Sequence, residues 1–263
     1  MINSPTINVM TAAALKAGRS LRNDFGRLPS LAVARKGPGD FVSQADKKAE
    51  DILYAELEKA RPGYSFRMEE SGVREGVDKT HCWHVDPLDG TTNFLHGIPQ
   101  FAVSIGLERE GALVAGVIYN PITDDLYVAE KGQGAFHNNR RMRVSACIEP
   151  ADALIAIGIP HIGKAGAPQF LKELAATMAR FGGHRRMGAA ALDLAGVAAG
   201  QYEAFYERGL NSWDIAAGIV LVREAGGFVS DLTGGNRFLE TGGLVAGNEA
   251  IQRELVSVLT RLG

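Results

Sequence analysis

The stretch that decides how this chain is interpreted covers residues 83–94 and reads Trp83-His84-Val85-Asp86-Pro87-Leu88-Asp89-Gly90-Thr91-Thr92-Asn93-Phe94. It begins as an apolar strand and ends in two carboxylates, Asp86 and Asp89, on either side of a proline-containing turn. Such spacing can aim both carboxylates at one point. Asp, Pro and Gly are also ordinary turn residues, so a purely structural role stays open on this stretch alone.

The residues after Asp89 favour a phosphate site. Gly90 lets the backbone approach a ligand closely, and Thr91 to Asn93 suit the start of a helix, where N–H groups and the helix dipole attract anions. Carboxylates beside an anion site make physical sense if cations lie between them. Mg²⁺ fits, because it prefers oxygen ligands and binds through a few carboxylates together with phosphate oxygens.

Two further acidic elements lie far away in the sequence. Glu69-Glu70-Ser71 follows a short segment at 64–68, and Trp213-Asp214 opens a predicted helix. In isolation, a Glu pair is typical of a solvated face and an Asp at a helix start is typical of an N-cap. Neither element would indicate chemistry without its context.

Taken in order, these motifs resemble the signatures of the inositol monophosphatase family, in particular of its bacterial members. The resemblance covers nearly the whole chain and includes the segments Glu69-Glu70-Ser71, 86–94, 185–194, 203–210 and Trp213-Asp214-Ile215-Ala216-Ala217-Gly218. Three separated motifs in the right order are specific. The resemblance implies an αβαβα layered sandwich of the sugar-phosphatase type, an α+β or α/β arrangement of two sheets with helix layers.

The resemblance also implies a set of metal ligands. Glu69, Asp86 and the Leu88 carbonyl would hold a first Mg²⁺, and Asp86, Asp89 and Asp214 would hold a second, with a third ion held loosely. In such sites the ions activate water and stabilise the attacking and leaving oxygens of an in-line displacement. The positions that resemble a mobile loop for the third ion are Lys36, Asp40, Ser43 and Asp46.

Catalytic and substrate-binding positions follow from the same resemblance. Thr91 would hydrogen-bond the attacking water with Glu69 as its acceptor partner, and Gly90 and Thr91 would offer backbone N–H groups to the phosphate. Glu207 would accept hydrogen bonds from substrate hydroxyls. The other positions on the substrate side are Asp89, Arg185, Ala190 and Asp214.

Three departures from the family pattern bear on substrate preference. Ser43 stands where Thr is frequent, Ala189 stands where Ser or Thr is common, and the stretch between Glu69 and Asp86 is shorter than in the animal enzymes. None of them removes a proposed metal ligand.

Hydrophobic periodicity predicts the order of the elements. Ser4-Pro5 starts a first helix, and a Gly- and Pro-rich loop at 36–40 precedes a second helix at about 45–60, so two helices are expected before any strand. Short apolar runs between 83 and 136, joined by hairpin turns, predict an antiparallel sheet. Beyond 150, helices near 168–181, 189–199, 214–225 and 248–261 alternate with short strands near 203–206, 228–230 and 244–246. We expect a single unit with two lobes, approximately 1–145 and 146–263, that share a core.

Bulk properties exclude several classes of function. The chain has 263 residues, 46% hydrophobic content and a formal charge of −2, and no run of Lys or Arg exceeds two residues. Nucleic-acid binding is therefore not expected. The two cysteines, Cys82 and Cys147, lack redox or zinc spacing, and neither a signal peptide nor a membrane span is apparent, so a cytoplasmic location is predicted.

Three weaker signals are discounted. The run His81-Cys82-Trp83-His84 cannot supply four convergent zinc ligands, because alternate residues of a strand face opposite ways. Gly132-Gln133-Gly134 has His137 in place of the third glycine of a dinucleotide fingerprint and is expected to be a turn. A Gly-x-Ser-x-Gly elbow is absent from the sequence, so a serine hydrolase has no support.

The predicted function is Mg²⁺-dependent hydrolysis of phosphate monoesters, with myo-inositol 1-phosphate as the preferred substrate. Related sugar, polyol or nucleotide phosphates remain alternatives. A second hypothesis is an additional regulatory role in binding the transcription machinery, which some bacterial relatives perform. The resemblance further implies a homodimer and sensitivity to lithium.

Overall fold

The structure is a computed structural model that describes residues 4–27, 33–37, 40–161 and 165–262, with the backbone alone described at 33–37 and 40–43. The first helix begins as expected: the Ser4 hydroxyl accepts a hydrogen bond from the Ile7 N–H at 3.1 Å, and Pro5 occupies the first turn. The helices are α1 (Pro5–Phe25), α2 (Gln44–Ala60), α3 (Thr91–Leu95), α4 (Ala167–Met178), α5 (Ala190–Ala198), α6 (Ser212–Glu224), α7 (Phe238–Thr241) and α8 (Glu249–Thr260).

Within the described residues, the first large sheet has eight strands in the order β10-β9-β8-β7-β6-β5-β3-β4. They are β3 (Ser65–Met68), β4 (Gly72–Arg74), β5 (His81–Asp89), β6 (Ala102–Arg109), β7 (Ala112–Asn120), β8 (Asp125–Glu130), β9 (Gly134–His137) and β10 (Arg140–Arg141). The predicted antiparallel pairing is confirmed from β5 to β9, including the turn at Gly132, while β3 pairs with β5 in parallel.

The second large sheet has, among the described residues, five strands in the order β12-β11-β13-β15-β14. They are β11 (Leu154–Ile157), β12 (Gly183–Arg185), β13 (Ala204–Glu207), β14 (Phe228–Ser230) and β15 (Leu244–Gly247). Strand β11 runs parallel to both of its neighbours, and the remaining pairs are antiparallel. The helices and strands predicted beyond residue 150 are confirmed, with ends shifted by a few residues.

One prediction about the order of elements is wrong. Two short strands, β1 (Val33–Gly37) and β2 (Asp40–Ser43), lie between α1 and α2 and pair antiparallel, with Val33 opposite Ser43 and Gly37 opposite Asp40. The Gly and Pro content of 36–40 predicts a loop, but Lys36 and Gly37 belong to β1 and Asp40 belongs to β2. The regularity of these residues comes from pairing between the two strands, which composition does not reveal.

The layered αβαβα fold is confirmed by how the elements pack. Helices α1 and α2 cover one face of the eight-stranded sheet, α5 and α6 lie between the two sheets, and α4 and α8 cover the outer face of the second sheet. Helices α5 and α6 are buried almost throughout and form the middle layer. The division into two lobes near residue 145 stays a prediction. No helix in the described part of the chain combines the length and apolar composition needed to cross a membrane.

Candidate active site

A cavity of about 160 Å³ is lined by residues from β5, α5, α6 and β13. Four carboxylates singled out in the sequence face it together: Glu69, Asp86, Asp89 and Asp214. Three segments separated by long stretches of sequence therefore meet at one point.

An irregularity in β5 brings Asp86 and Asp89 to the same cavity. In a regular strand, residues three apart would face opposite sides of the sheet. Here Asp86 stands opposite Ser104 and Asp89 opposite Ala102, so the pairing register shifts between them. The Leu88 N–H donates to Asp86 Oδ1 at 2.9 Å and closes the bulge. The proline-containing turn predicted from the sequence thus acts as the bulge that aims both carboxylates.

Backbone N–H groups help to place the other two acidic residues. Asp214 Oδ2 accepts from the Asn211 N–H at 2.7 Å in a capping box. Asn211 is therefore the N-cap of α6, and Asp214, the third residue of the helix, also lines the cavity. Glu69 follows β3, and its N–H donates to the Val85 carbonyl at 3.3 Å. The next N–H, that of Glu70, donates to Glu50 Oε2 at 2.8 Å and fixes the turn.

Burial and mutual repulsion act on this cluster. Asp86 is 2% exposed, and burial raises its pKa well above the usual value, with further contributions from Glu69, Asp89 and Asp214. Burial also raises the pKa of Asp89, and Asp214 adds to the effect. Like charges confined in a low-dielectric site repel one another, so the carboxylates can all be ionised only if positive charge lies close to them.

The chemistry of these donors fits Mg²⁺. All of them are oxygens, and they are carboxylates or a backbone carbonyl, which is the set that hard divalent cations prefer. Among the described residues, no three His, Cys, Asp or Glu side chains already stand as a compact ligand group. An ion here would therefore take part of its coordination from water or substrate oxygens, as is usual for Mg²⁺.

Thr91 connects the cavity to α2. Its Oγ1 lies 3.0 Å from Asp46 Oδ1 and 3.1 Å from the Leu88 carbonyl oxygen, and the hydroxyl can donate its proton to either of them. Gly90 precedes it with a φ of 90°, and a Cβ there would lie 2.8 Å from the Gln100 carbonyl, so glycine is required. The hydroxyl of Thr91 is thus oriented by a fully buried carboxylate.

Residues of β13, of α5 and of the segment after β13 line the same cavity and include proposed substrate contacts. Glu207 ends β13, and Ala190 and Leu210 line the same space. The carboxyl group of Glu207 rests against the backbone of Gly158, where a Cβ would lie 1.8 Å from Cδ. Asp89 Oδ2 accepts from the Ala191 N–H at 2.7 Å, which ties the start of α5 to the carboxylate cluster.

The structure does not bring Arg185 to this cavity. Arg185 is exposed at the end of β12, and its Nη1 donates to the His184 carbonyl at 2.9 Å. Arg186 lines the cavity in its place. Adjacent residues of an extended segment face opposite ways, so the pair Arg185-Arg186 could supply one residue only to the site.

Asp193 is a cavity residue that the sequence motifs do not single out. This residue lies in α5, is 1% exposed and lines the cavity, and its Oδ1 has no hydrogen-bond partner. Burial raises its pKa well above the usual value, and Glu207 adds to the effect. The available signal was a lone charged residue in the otherwise apolar segment 189–199.

Of the positions assigned to a third ion, Asp46 is buried at the start of α2. Lys36 lies on β1, and Asp40 and Ser43 lie on β2, where the side chains fall outside the described residues. Their role remains a prediction.

Comparison with known proteins identifies the family. The sequence profile of the Inositol monophosphatase family matches residues 2–262. This chain belongs to the inositol monophosphatase family. It is 60% identical over 261 residues to a protein named Inositol-1-monophosphatase from Mesorhizobium japonicum, an alignment that covers 99% of this chain and 98% of that protein.

Two other members of the family extend the comparison. A protein named Nus factor SuhB from Escherichia coli K12 is 40% identical over 253 residues, covering 96% of this chain and 95% of its own length. The crystal structure of the extragenic suppressor protein suhB from Bartonella henselae superposes with a TM-score of 0.95 at 56% identity, covering 98% of this chain and 99% of that chain. The family resemblance inferred from the motifs is confirmed.

Proposed function

We propose that this chain hydrolyses phosphate monoesters of polyols in a Mg²⁺-dependent reaction, with myo-inositol 1-phosphate as the preferred substrate. The observation that carries the proposal is the convergence of four carboxylates from three segments on one cavity that Glu207 also lines. The inositol monophosphatase family membership supports the same reaction.

The residues that would hold the ions are those that line the cavity. Glu69, Asp86 and the Leu88 carbonyl would hold one, and Asp86, Asp89 and Asp214 would hold another. When bound, the ions would lower the pKa of a water molecule for attack on phosphorus and would stabilise charge on the entering and leaving oxygens.

The residues around the metal ligands have separate tasks. The Thr91 hydroxyl, whose proton points to Asp46 or to the Leu88 carbonyl, presents its oxygen as an acceptor that orients the attacking water. Glu69 would accept the other proton of that water. The backbone N–H groups of Gly90 and Thr91 would bind the phosphate oxygens.

Substrate selection would depend on the part of the cavity that Glu207, Ala190 and Leu210 line. A carboxylate accepts hydrogen bonds from hydroxyl groups and repels anions, so Glu207 would bind the polyol and leave the phosphate to the metal side. Ala190 and Leu210 would pack against the carbon skeleton. We assign to Arg186 the contact that the sequence had suggested for Arg185.

The test is phosphate release from myo-inositol 1-phosphate, fructose 1,6-bisphosphate and 2′-AMP, with Mg²⁺ or with EDTA. We expect release that requires Mg²⁺ and is fastest with the inositol ester. Asp89→Asn and Asp214→Asn should abolish it in a folded protein, while Asp51→Asn, on the exposed face of α2, should not. Retained activity in the first two variants would overturn the proposed metal ligands.

A second proposal is an additional contact with the transcription machinery. It is favoured by the 40% identity to the Escherichia coli protein named Nus factor SuhB. Purified protein should then retain RNA polymerase or elongation factors on an affinity column, and a column that retains none of them would refute the proposal. Homodimer formation, a cytoplasmic location and lithium inhibition stay expectations from the family resemblance, and sedimentation, fractionation and inhibition assays would test them.

A further inference from the structure

A buried histidine joins the strand that carries Asp86 to the helix that carries Asp214. His84 is 1% exposed. Its Nδ1 lies 2.9 Å from Ser212 Oγ at the start of α6, and its Nε2 lies 3.0 Å from Glu108 Oε2 on β6. A single side chain therefore links three elements, two of which are separated by 128 residues of sequence.

The two ends of this link are placed in the same way relative to the carboxylates. His84 lies two residues before Asp86, and alternate residues of a strand share a face, so both point to the side of the sheet where α6 packs. Ser212 lies two residues before Asp214, in the first turn of α6. The His84–Ser212 hydrogen bond thus connects the first turn of α6 directly to β5.

Helix α6 lies very close to the sheet because small residues face each other there. A Cβ on Gly106 would lie 2.6 Å from Ala216 Cβ, and one on Gly116 would lie 2.5 Å from the Ala217 carbonyl oxygen. Glycine and alanine carry no hydrogen-bonding side chains, so directional restraint on α6 comes from the polar contacts at its start. The weaker hydrogen bond from Ser104 Oγ to the Trp213 carbonyl, at 3.4 Å, adds little restraint.

Glu108 and Ser212 engage both ring nitrogens of His84. An ionised carboxylate can only accept, so the His84 Nε2–H donates to Glu108, and the Ser212 hydroxyl pairs with Nδ1 on the other side of the ring. The ring is therefore held from two sides. A directional hydrogen bond fixes position in a way that the apolar contact around it does not.

We propose that His84 is a positioning residue, which acts through Ser212 to hold Asp214 at the distance from Asp86 that binding of divalent cations requires. The proposal rests on the proposed metal-dependent function. Groups that orient metal ligands without touching the metal typically alter affinity by about 10- to 100-fold when they are removed.

The test compares three serine variants by calorimetric titration of EDTA-treated, dialysed protein with Mg²⁺. Ser212→Ala removes the hydroxyl and leaves His84 in place, and we expect the Mg²⁺ dissociation constant to rise by about 10- to 100-fold. Ser212→Thr keeps the hydroxyl and should restore most of the affinity. Ser230→Ala, a buried serine of β14 whose Oγ accepts from Gln252 at 2.8 Å, is the matched control.

The outcomes separate a positioning role from a structural one. If Ser212→Ala and Ser230→Ala lower the melting temperature similarly and neither changes Mg²⁺ affinity, His84 is a satisfied core histidine and the inference is wrong. If the wild-type protein neither binds Mg²⁺ nor releases phosphate, the proposed function fails and the inference fails with it. Mg²⁺-dependent phosphate release by the wild type, with unchanged affinity in Ser212→Ala, would overturn the inference alone.

Discussion

Replacing Gly158 with alanine should weaken recognition of substrate hydroxyls and leave the phosphate chemistry intact. The new Cβ would lie 1.8 Å from Glu207 Cδ and 2.1 Å from Oε2. These atoms belong to the far end of a flexible side chain, so the carboxylate can move aside and the backbone need not. To reach ordinary contact the carboxylate carbon must retreat by roughly 1.7 Å, since carbon atoms touch at about 3.5 Å.

This displacement has a calculable effect on catalysis. If the carboxylate moves by that amount, the hydrogen bond between Glu207 and a substrate hydroxyl is lost. A hydrogen bond to a charged group contributes about 1.5–3 kcal/mol. Since about 1.4 kcal/mol is a factor of ten, kcat/KM for myo-inositol 1-phosphate should fall by about 10- to 150-fold. The value for p-nitrophenyl phosphate, which has no polyol hydroxyls, should stay within about twofold, because Glu207 makes no contact that this ester needs.

The assay is steady-state phosphate release from both esters by the wild type, Gly158→Ala, Glu207→Ala and the double variant. If Gly158 acts through Glu207, its substitution should have little further effect once Glu207 is truncated. Gly26→Ala is the control, because its Cβ would make only ordinary contacts. An equal loss with both esters, or a full additional loss in the double variant, would refute the reasoning.

Three further predictions concern stability, measured by urea unfolding with EDTA present. Asp193→Asn should stabilise the protein by about 1–3 kcal/mol at pH 8 and by much less near pH 4. The reason is that the pKa of this buried carboxyl group is raised, so its ionisation opposes folding as the pH rises. An equal change in stability at both pH values would contradict this. Asp231→Asn should cost about 1.5–3 kcal/mol above pH 4 and almost nothing near pH 2. Burial alone would raise the pKa of Asp231, but hydrogen bonds from Thr233, Gly235 and Arg237 lower it to about 2, so protonation removes the advantage of the carboxylate, and a constant difference would argue against it. Gly106→Ala should cost about 1–3 kcal/mol, because its Cβ would collide with Ala216; unchanged stability would show that α6 can move away from the sheet.

Most helices and the antiparallel sheet could be predicted because their signals are local. Ser4-Pro5 caps α1 through its own side chain, and the hairpins between β6 and β9 carry turn residues at their tips. The β1–β2 hairpin could not be predicted, because it gains regularity from pairing without a clear alternation of apolar residues. The parallel pairing of β3 with β5 joins two strands that are separated in the chain by β4, and neither strand carries a local pattern that indicates it.

The site residues also divide into those that a local motif predicts and those that only the folded structure shows. Asp86 and Asp89 stand in one motif and can be read from a short window of sequence. Asp214 looks like an N-cap, but the N-cap of α6 is Asn211, and Asp214 is the third residue of the helix. Only family resemblance or the folded structure shows that Asp214 also faces the cavity. Whether Arg185 or Arg186 enters the site depends on the rotation of a short strand end, and sequence spacing does not determine that rotation.

The position of α6 in the middle layer has a consequence for how this enzyme can change over generations. Its residues from Ile215 to Val222 are all buried, between the eight-stranded sheet on one side and α5 on the other. Almost any enlargement there would strain both neighbours, so the helix that presents Asp214 is among the least mutable parts of the chain. New substrate preferences are therefore expected to arise through the wall around Gly158, Arg186 and Glu207, where side chains can be exchanged while the hydrolytic machinery stays in place.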